Sequence, residues 1–240
     1  MKNFFNAILY QPLFNLLIAL TNFAGGNIGW GIVLITIGIR ALLYPLTQQS
    51  LLAQRSMQKL QPAIAALKEK HKGDKERFSR ELMTLYQHHK VNPFSSCLTV
   101  LVQLPILWAL YQVLNEGIAN QGTSSALLYS FVSAPTQISS WFLGVDLSKP
   151  SIIIAAIAGV FQYLQARTLP KPPIGTQPSD GAKDEQMMSI MNKQMMYVFP
   201  IVTVIIGMRI SSGLTLYWAL STALLYLQQI AVLKKQTSEI

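Results

Sequence analysis

Charge, and acidic charge above all, is scarce in this chain. Only 12% of its 240 residues are charged, with 10 acidic against 19 basic side chains, whereas soluble domains carry about 25% charged residues. Hydrophobic residues make up 51% and the mean hydropathy is +0.34. The shortage of charge argues against a soluble protein and predicts an all-α integral membrane protein of about five or six helical segments.

Cysteine is almost absent as well. Cys97 is the single cysteine of the sequence, which excludes an internal disulfide and a cysteine metal cluster. We interpret Cys97 as a small packed residue. The neighbouring His71, His88 and His89 find no carboxylate or cysteine to complete a ligand set, so no metal site is expected. The apolar segments contain neither a phosphate-binding glycine loop nor a Ser/His/Asp arrangement, so we expect no cofactor, no catalytic residue and no enzymatic activity.

Basic residues are concentrated in alternate polar segments. Nine Lys or Arg residues lie between Gln48 and Asn92, four lie in 167–193, and none lies between Asn115 and Ala134. This is the positive-inside pattern, so the two basic loops and the C-terminus are predicted in the cytoplasm and the N-terminus outside. Anionic lipid headgroups, and not a nucleic acid sequence, are the expected counter-charge.

The hydrophobic pattern divides the chain into five predicted spans, at 28–47, 94–114, 151–166, 187–208 and 212–233. Between them lie a cytoplasmic helical hairpin (48–92), an outer loop (115–150) and a cytoplasmic loop (167–186), and the tail is 234–240. Residues 3–22 place Gln11, Asn15 and Asn22 on one helical stripe. This pattern favours a helix in the outer interface; a span or a retained signal anchor is the alternative.

Arg40 is out of place in the first span, because no Asp or Glu lies within 25 residues of it. An arginine in a span costs from ~2.5 to more than 10 kcal/mol, depending on how water and lipid relax around it. We therefore interpret Arg40 as the mark of a wet, positively charged cavity. The alternative is a side chain that only extends to the inner headgroups.

The segment 48–92 contains two narrow apolar seams on charged helices, which predict an antiparallel pair. Lys72-Gly73-Asp74 is the predicted turn, with glycine ending one helix and aspartate capping the next. The pair is either a mobile basic element at the membrane surface or a simple link between spans. The seam residues are Met57, Leu60, Ile64 and Leu67, then Phe78, Leu82, Leu85 and His89.

Polar residues also occur in the later spans. Gln103 in the second span either contributes to a polar wall opposite Arg40 or makes a plain interhelical hydrogen bond. Methionines crowd the start of the fourth span, where they provide either an adaptable apolar surface or flexible core packing. The last span carries Trp218, Ser221, Thr222, Gln228 and Gln229.

In order and spacing, several motifs resemble the YidC-type membrane protein insertases, the family related to the mitochondrial oxidase-assembly and chloroplast Alb-type proteins. The resemblance covers nearly the whole chain. Its motifs are Tyr10-Gln-Pro-Leu13, Ile39-Arg40 with Tyr44-Pro45, Met57-Gln-Lys-Leu-Gln-Pro62, Glu81-Leu-Met-Thr-Leu-Tyr86, Val91-Asn-Pro93, Cys97, Gln103-Leu-Pro105, Phe142-Leu-Gly-Val-Asp-Leu-Ser148 and Gly213-Leu-Thr-Leu-Tyr-Trp218.

The resemblance implies five transmembrane helices around a hydrophilic groove that is open to the cytoplasm and to lipid and closed on the outside. Arg40 matches the intramembrane arginine of the family, and Gln103 matches a polar groove position. We assign Trp218, Ser221 and Thr222 to the same substrate-binding groove. The hairpin positions singled out are Met57, Leu60, Pro62 and Tyr86.

Three positions depart from the family pattern. Thr99 stands where a proline is common, Thr222 where an asparagine is common, and Arg209 begins a polar stretch in an approach that is usually apolar. These departures concern groove polarity and the outer turn. The tail after Leu233 carries only two lysines, which weakens any expectation of strong ribosome docking.

The hypothesis is a membrane protein insertase and chaperone of the bacterial cell membrane, active as a monomer. Its expected partners are nascent membrane proteins and lipids, with a Sec-type translocon and the ribosome left open. A small transporter or channel with Arg40 as an anion site is the alternative. An assembly chaperone that holds inserted subunits without moving their tails is the third class.

Overall fold

The chain is described here from a computed structural model, which describes residues 5–71, 73–89, 91, 95–119, 127–135, 137–168 and 194–237. The predicted all-α class is confirmed, since the structure is 79% helical. A π-helical turn, Asn6–Tyr10, leads into the first helix, and a second one, Gln194–Val198, leads into the seventh. The helices are α1 Gln11–Phe23, α2 Ile28–Leu42, α3 Tyr44–Lys70, α4 Lys75–His88, α5 Ser95–Ala119, α6 Ile152–Arg167, α7 Phe199–Gly207 and α8 Ser212–Thr237; the strands are β1 Trp141–Phe142 and β2 Val145–Asp146.

The predicted first span, 28–47, covers two helices. The helix α2 ends at Leu42, and α3 leaves it at an angle of 59°. Pro45 explains the break, because its ring would clash with a helical carbonyl one turn earlier, while it fits the first turn of a new helix. The hairpin helix therefore begins at Tyr44, four residues earlier than the predicted 48.

Among the described residues, α8 alone is long and apolar enough to cross a membrane, over Ser212–Lys234, and the bent pair of α2 and α3 would make a second. Three shorter apolar helical segments accompany them: Leu101–Leu114, Ile152–Arg167 and Met196–Gly207. The predicted loop 167–186, apart from Arg167 and Thr168, and the start of the predicted fourth span, 187–193, lie outside the described residues.

One face of α1 belongs to the core. Phe14, Leu17 and Ile18 are fully buried and pack with residues of α2, α5 and α8 in one hydrophobic cluster. The interfacial position of residues 3–22 stays a prediction. The other buried members of this cluster are Tyr10, Ile28, Ile32, Ile35, Ile39, Leu110, Val113, Leu114, Phe142, Leu147, Ile154, Leu214 and Tyr217.

Helices α6, α7 and α8 pack closely through small residues. A Cβ at Gly159 would lie 2.4 Å from Cγ2 of Val204, and one at Gly207 would lie 2.9 Å from Cβ of Ala155. Small residues let helix backbones approach closely in a membrane, where packing drives association. The predicted tight turn around Arg209 is confirmed, because α7 ends at Gly207 and α8 begins at Ser212.

The hairpin turn follows its predicted chemistry. Gly73 has φ of +92°, a conformation that glycine adopts without steric cost. The Asp74 carboxylate accepts a hydrogen bond from the backbone N–H of Arg77 at 3.0 Å, so the predicted N-cap is confirmed. Nε2 of His71 lies 3.0 Å from Oε1 of Glu81, and this contact joins the two helices beside the turn.

Candidate functional site

Arg40 lies near the end of α2, at the border between the buried and exposed faces of that helix. Its neighbours Thr36 and Ile39 are buried, whereas Ala41 and Leu42 are exposed. Tyr217 of α8 lies within electrostatic range of the guanidinium, and the described part of the chain shows no hydrogen bond between the two. Within the described part of the chain, no carboxylate forms a salt bridge with Arg40.

Tyr217 links Arg40 to the third helix of the site. Its side chain is 1% exposed, and its phenolic oxygen accepts a hydrogen bond of 2.8 Å from Nε2 of Gln103 on α5. A phenol oxygen that accepts a hydrogen bond and lies within electrostatic range of a cation is favourably placed, because the donor and the cation are both electropositive. Arg40, Gln103 and Tyr217 thus form one polar cluster contributed by α2, α5 and α8.

Tyr217 is the residue that sequence reasoning missed. It appeared there only as part of the motif that ends at Trp218. A usable signal was present, since Tyr217, Ser221 and Gln228 share one face of a helix while Trp218 points about 100° away. Tyr217 and Trp218 each carry a polar group in an otherwise apolar segment, and Tyr217, the more deeply buried of the two, belongs to the cluster.

The other predicted groove residues of α8 divide between two faces. Ser221 is 2% exposed and lies one turn beyond Tyr217; its hydroxyl has no hydrogen-bond partner among the described residues. Thr222 is also buried and Trp218 is half-buried. These two share a face with Gln229, which contacts Thr168 at the end of α6. The structure therefore joins Gln103 to Tyr217, which lies within electrostatic range of Arg40, whereas Trp218 and Thr222 lie on the helix face that carries Gln229.

Polar contacts continue along α8 beyond the cluster. The Gln228 amide donates to the Tyr44 carbonyl at 3.1 Å and approaches Oε1 of Gln48 at 3.5 Å. The pair holds α8 against the first turns of α3, just after the 59° bend. We call this end of the bundle, with Arg40, Gln48, Gln103 and Gln228, the polar end.

The opposite end is covered by a hydrogen-bonded loop. Asn15 donates to the Leu127 carbonyl at 2.8 Å and accepts from the Tyr129 N–H at 2.7 Å, and Asn22 donates to Ser133 O at 2.8 Å. The predicted stripe of α1 thus binds the backbone of the loop. We call this end, with the described residues of 127–149 and the first turns of α2 and α8, the closed end.

The closed end is anchored to α2 and α8 as well. The Asn27 side chain caps α2 and donates to the Trp141 carbonyl at 2.8 Å. The Gly213 N–H donates to Leu147 O at 3.0 Å. The carboxylate of Asp146 accepts from the Ser148 and Ser140 hydroxyls at 2.6 and 2.9 Å. These hydrogen bonds lower the pKa of Asp146 to about 2, and the bond from Ser148 has the largest effect.

The predicted hairpin residues differ in exposure. Leu60 is 7% exposed and Met57 is half-buried, while Pro62 is exposed within the continuous helix α3. Tyr86 is half-buried, its carbonyl accepts from the Val91 N–H at 2.9 Å, and burial raises the pKa of its phenol. Of the three departures from the family pattern, Thr222 is buried and Arg209 is exposed, whereas the side chain of Thr99 lies outside the described residues.

Comparison with known proteins identifies the family. The family described as "60Kd inner membrane protein" matches residues 19–239. A protein of Fusobacterium nucleatum, named membrane protein insertase YidC, is 35% identical over 212 residues, which is 88% of each chain. Proteins of the same name from Geobacter sulfurreducens and Pelobacter propionicus are 33% and 34% identical over 223 and 211 residues.

The coverage differs among these relatives. The chain covers 36% of the Geobacter protein and 35% of the Pelobacter protein, so it spans about a third of the length of these relatives. The family comprises insertases and not enzymes, and its members are proteins of the bacterial inner membrane. The family match, 19–239, spans the positions of Arg40, Gln103 and Tyr217. The chain therefore belongs to the YidC-type family of membrane protein insertases.

Proposed function

We propose that this chain inserts newly made membrane proteins, and that the cluster of Arg40, Gln103 and Tyr217 receives the polar flank of the substrate. The observation that carries the proposal is the environment of Arg40. Its guanidinium lies within electrostatic range of the Tyr217 phenol, and the described residues supply no carboxylate to neutralise it. A cation in this setting remains able to attract an acidic segment that passes.

The proposed arrangement has five spans, formed by α2 with its bend, α5, α6, α7 and α8, around a groove at the polar end. The polar end faces the cytoplasm and the closed end faces outside, with the N-terminus outside and the C-terminus in the cytoplasm. Basic residues support this orientation, because the hairpin carries many of them and 115–134 carries none. The loop that covers the closed end supports a groove with one entrance.

The physical task of an insertase is to move a polar flank across hydrocarbon. A hydrated groove that extends partway into the membrane shortens the distance over which the flank must give up water. Attraction between Arg40 and one carboxylate is worth about 1–4 kcal/mol at 4 Å in a wet site. This biases entry without trapping the flank. Partition of the apolar segment into lipid then provides the driving force, and no nucleotide is consumed.

Nascent membrane proteins and lipids are the partners that this function requires. The short apolar helix α6 supports the proposal, because a helix of 16 residues spans less than a full bilayer and favours local thinning. The basic hairpin, with Met57, Leu60, Pro62 and Tyr86, would lie at the cytoplasmic surface beside the entrance.

The test compares Arg40→Ala with Arg40→Lys in proteoliposomes, using single-span substrates with short acidic or neutral tails. Loss of one attraction of about 1.4 kcal/mol lowers insertion about tenfold, so Arg40→Ala should reduce insertion of the acidic tail by about that factor. Arg40→Lys should retain most of it, and the neutral tail should change little. Equal insertion of both tails by Arg40→Ala and the wild type would contradict the attractive role.

A solute-flux measurement on the same vesicles separates insertion from transport. Anion flux that depends on Arg40, with unchanged insertion, would assign the cluster to a transporter. Substrate binding without translocation of the tail would assign it to an assembly chaperone.

A further inference from the structure

The tip of the β1–β2 hairpin carries a leucine that neither the turn nor the core explains. Phe142 pairs with Val145 across the hairpin, so Leu143 and Gly144 form its two-residue loop. Both loop residues have positive φ, +47° and +82°, as in the type I′ turns for which Asn-Gly is a preferred sequence. Leu143 is also 83% exposed, so it makes little contact with the rest of the chain.

The left-handed backbone at Leu143 is unfavourable for its residue type. A left-handed conformation brings Cβ too close to the following carbonyl oxygen, and asparagine or glycine tolerates it better. Strained local choices of this kind persist where they serve a contact elsewhere. We propose that this contact is with lipid, and that the hairpin tip inserts Leu143 at the boundary between headgroups and acyl chains.

The hairpin lies where two helices of the bundle begin. The side chain of Asn27, the N-cap of α2, donates to the Trp141 carbonyl at 2.8 Å. The N–H of Ser212, the first residue of α8, donates to the Lys149 carbonyl at 3.0 Å. Since α8 is long and apolar enough to cross a membrane from Ser212 onwards, its first turn marks the level at which a span would enter the bilayer. The hairpin is tied to this level on both sides.

An aromatic pair joins the hairpin to the exposed side of α2. The Trp30 ring, in the first turn of α2, packs edge-on against Phe142, with 5.3 Å between the centroids. Trp30 is itself exposed, and indole rings prefer the membrane–water interface. Phe142 is buried against α2, so its strand neighbour Trp141 points to the opposite face and is 63% exposed. The exposed apolar surface of the hairpin therefore continues onto α2.

The charges of the hairpin favour lipid over a partner that docks through ion pairs. Asp146 is the one charged residue in 137–148. Its side chain is largely buried, and its carboxylate accepts hydrogen bonds from the Ser140 and Ser148 hydroxyls. The exposed groups are the apolar side chains of Trp141 and Leu143, and transfer of such groups out of water is favourable without any specific partner.

Spin labels measure the depth of the tip. In a Cys97→Ala background, Leu143→Cys carries a nitroxide, and the full chain is placed in vesicles of phosphatidylethanolamine and phosphatidylglycerol. Oxygen partitions into lipid, whereas a nickel chelate stays in water. The label at 143 should therefore be accessible to oxygen and shielded from nickel. Lys149→Cys is the control, because Lys149 is an exposed, charged side chain at the base of the hairpin, and its label should stay accessible to nickel.

Two outcomes of this measurement would overturn the proposal. Equal nickel access at positions 143 and 149 would show that the tip lies no deeper than the base of the hairpin. Shielding of the label at 143 from both oxygen and nickel would show a protein contact, which in these vesicles can come only from a second copy of the chain.

Leu143→Asn separates the lipid contact from the turn, because the two predict opposite signs. Asparagine suits the left-handed position better than leucine, so a tip in water should exchange the amide hydrogens of 141–147 more slowly in this variant. A tip in lipid loses its apolar contact, and exchange in vesicles should rise about tenfold, since withdrawing part of a leucine side chain from lipid is worth about that factor. Leu143→Met keeps an apolar side chain and should change exchange less than about twofold. Slower or unchanged exchange in Leu143→Asn would refute the lipid contact.

The lipid contact and the proposed insertion function can fail separately. Neither the label nor the exchange measurement uses a substrate, and Arg40→Ala should leave nickel access at position 143 unchanged. Leu143→Asn in turn should retain the preference for acidic tails that the Arg40 variants test. A chain that inserts normally but leaves its tip open to nickel would refute the lipid contact alone.

Discussion

The closed end and the polar end of the bundle share helices α2, α5 and α8 but treat their polar groups in opposite ways. At the closed end, the side chains of Asn15, Asn27 and Asp146 bind named backbone or hydroxyl partners. At the polar end, Arg40 has no carboxylate partner among the described residues. One buried hydroxyl lacks a hydrogen-bond partner near each end, Thr21 beside the first turn of α2 and Ser221 on α8. The two ends therefore differ in their charged group: the carboxylate of Asp146 is hydrogen-bonded at the closed end, whereas the cation of Arg40 is not paired with a carboxylate.

This difference teaches how one bundle can be stable and still receive a foreign segment. Satisfied hydrogen bonds and close packing rigidify the closed end. A cation without a carboxylate partner at the polar end is costly, and such a cost persists where the surrounding structure holds the group in place. We therefore expect substitutions at the closed end to lower stability first, and substitutions at the polar end to lower insertion first.

The largest expected effect on stability is at Gly29. A Cβ at this position would lie 2.3 Å from the ring of Phe142, which is itself buried. Gly29→Ala should therefore cost about 1–3 kcal/mol of unfolding free energy through overpacking. Chemical denaturation in detergent micelles measures the effect. Gly38→Ala on the same helix is the control, because no atom lies within 4 Å of its added Cβ. Equal stability of both variants would refute the packing of the closed end.

Next in size is Asn15, which makes two hydrogen bonds to the loop backbone, at 2.8 and 2.7 Å. Asn15→Ala leaves a carbonyl and an N–H of the loop without these partners and should cost about 1–2 kcal/mol. Asn22→Ala removes one exposed bond and should cost about 0.5 kcal/mol. Hydrogen exchange of 127–133 should rise more in the first variant. A reversed order would show that the stripe of α1 does not hold the loop.

Tyr217→Phe tests the cluster of Arg40, Gln103 and Tyr217. Loss of the hydroxyl removes the 2.8 Å bond from Gln103 and the oxygen that lies within electrostatic range of Arg40, at a cost of about 0.5–1.5 kcal/mol in stability. Tyr217→Phe should reduce insertion of a short-tailed substrate severalfold more than Asn15→Ala does, although Tyr217→Phe lowers stability less. If both variants lower insertion in proportion to stability, the contrast between the two ends is wrong.

The smallest effect is the pH dependence contributed by Asp146. Its pKa is lowered to about 2 in the folded chain, from an ordinary 3.8. This carboxylate therefore adds stability above about pH 4, and the contribution disappears as pH falls from about 4 to about 2. Unfolding free energies at pH 5 and pH 2.5 measure it. Asp146→Asn should reduce the difference in unfolding free energy between these two pH values. An unchanged difference would show that the bonds from Ser148 and Ser140 do not affect stability.

Local features of the fold were accessible from the sequence because local chemistry decides them. The Asp74 cap and the turn around Arg209 follow from residues a few positions apart. The helical class follows from hydropathy and from the scarcity of charge. The hairpin helix was predicted to begin at 48 and begins at Tyr44. Proline can either end one helix or begin another, and the packing of α3 on α5 and α8 selects the second.

The sequence by itself determined that this is a helical membrane protein with a cation at position 40, because composition and hydropathy need no partner to act. Only the tertiary structure decided what surrounds that cation. Tyr217 and Gln103 are 114 residues apart, as are Asn15 and Tyr129. No helical period relates residues so distant. Only the packing of the helices and loops brings these residues together. The same packing determines which end of the bundle is the closed end and which is the polar end.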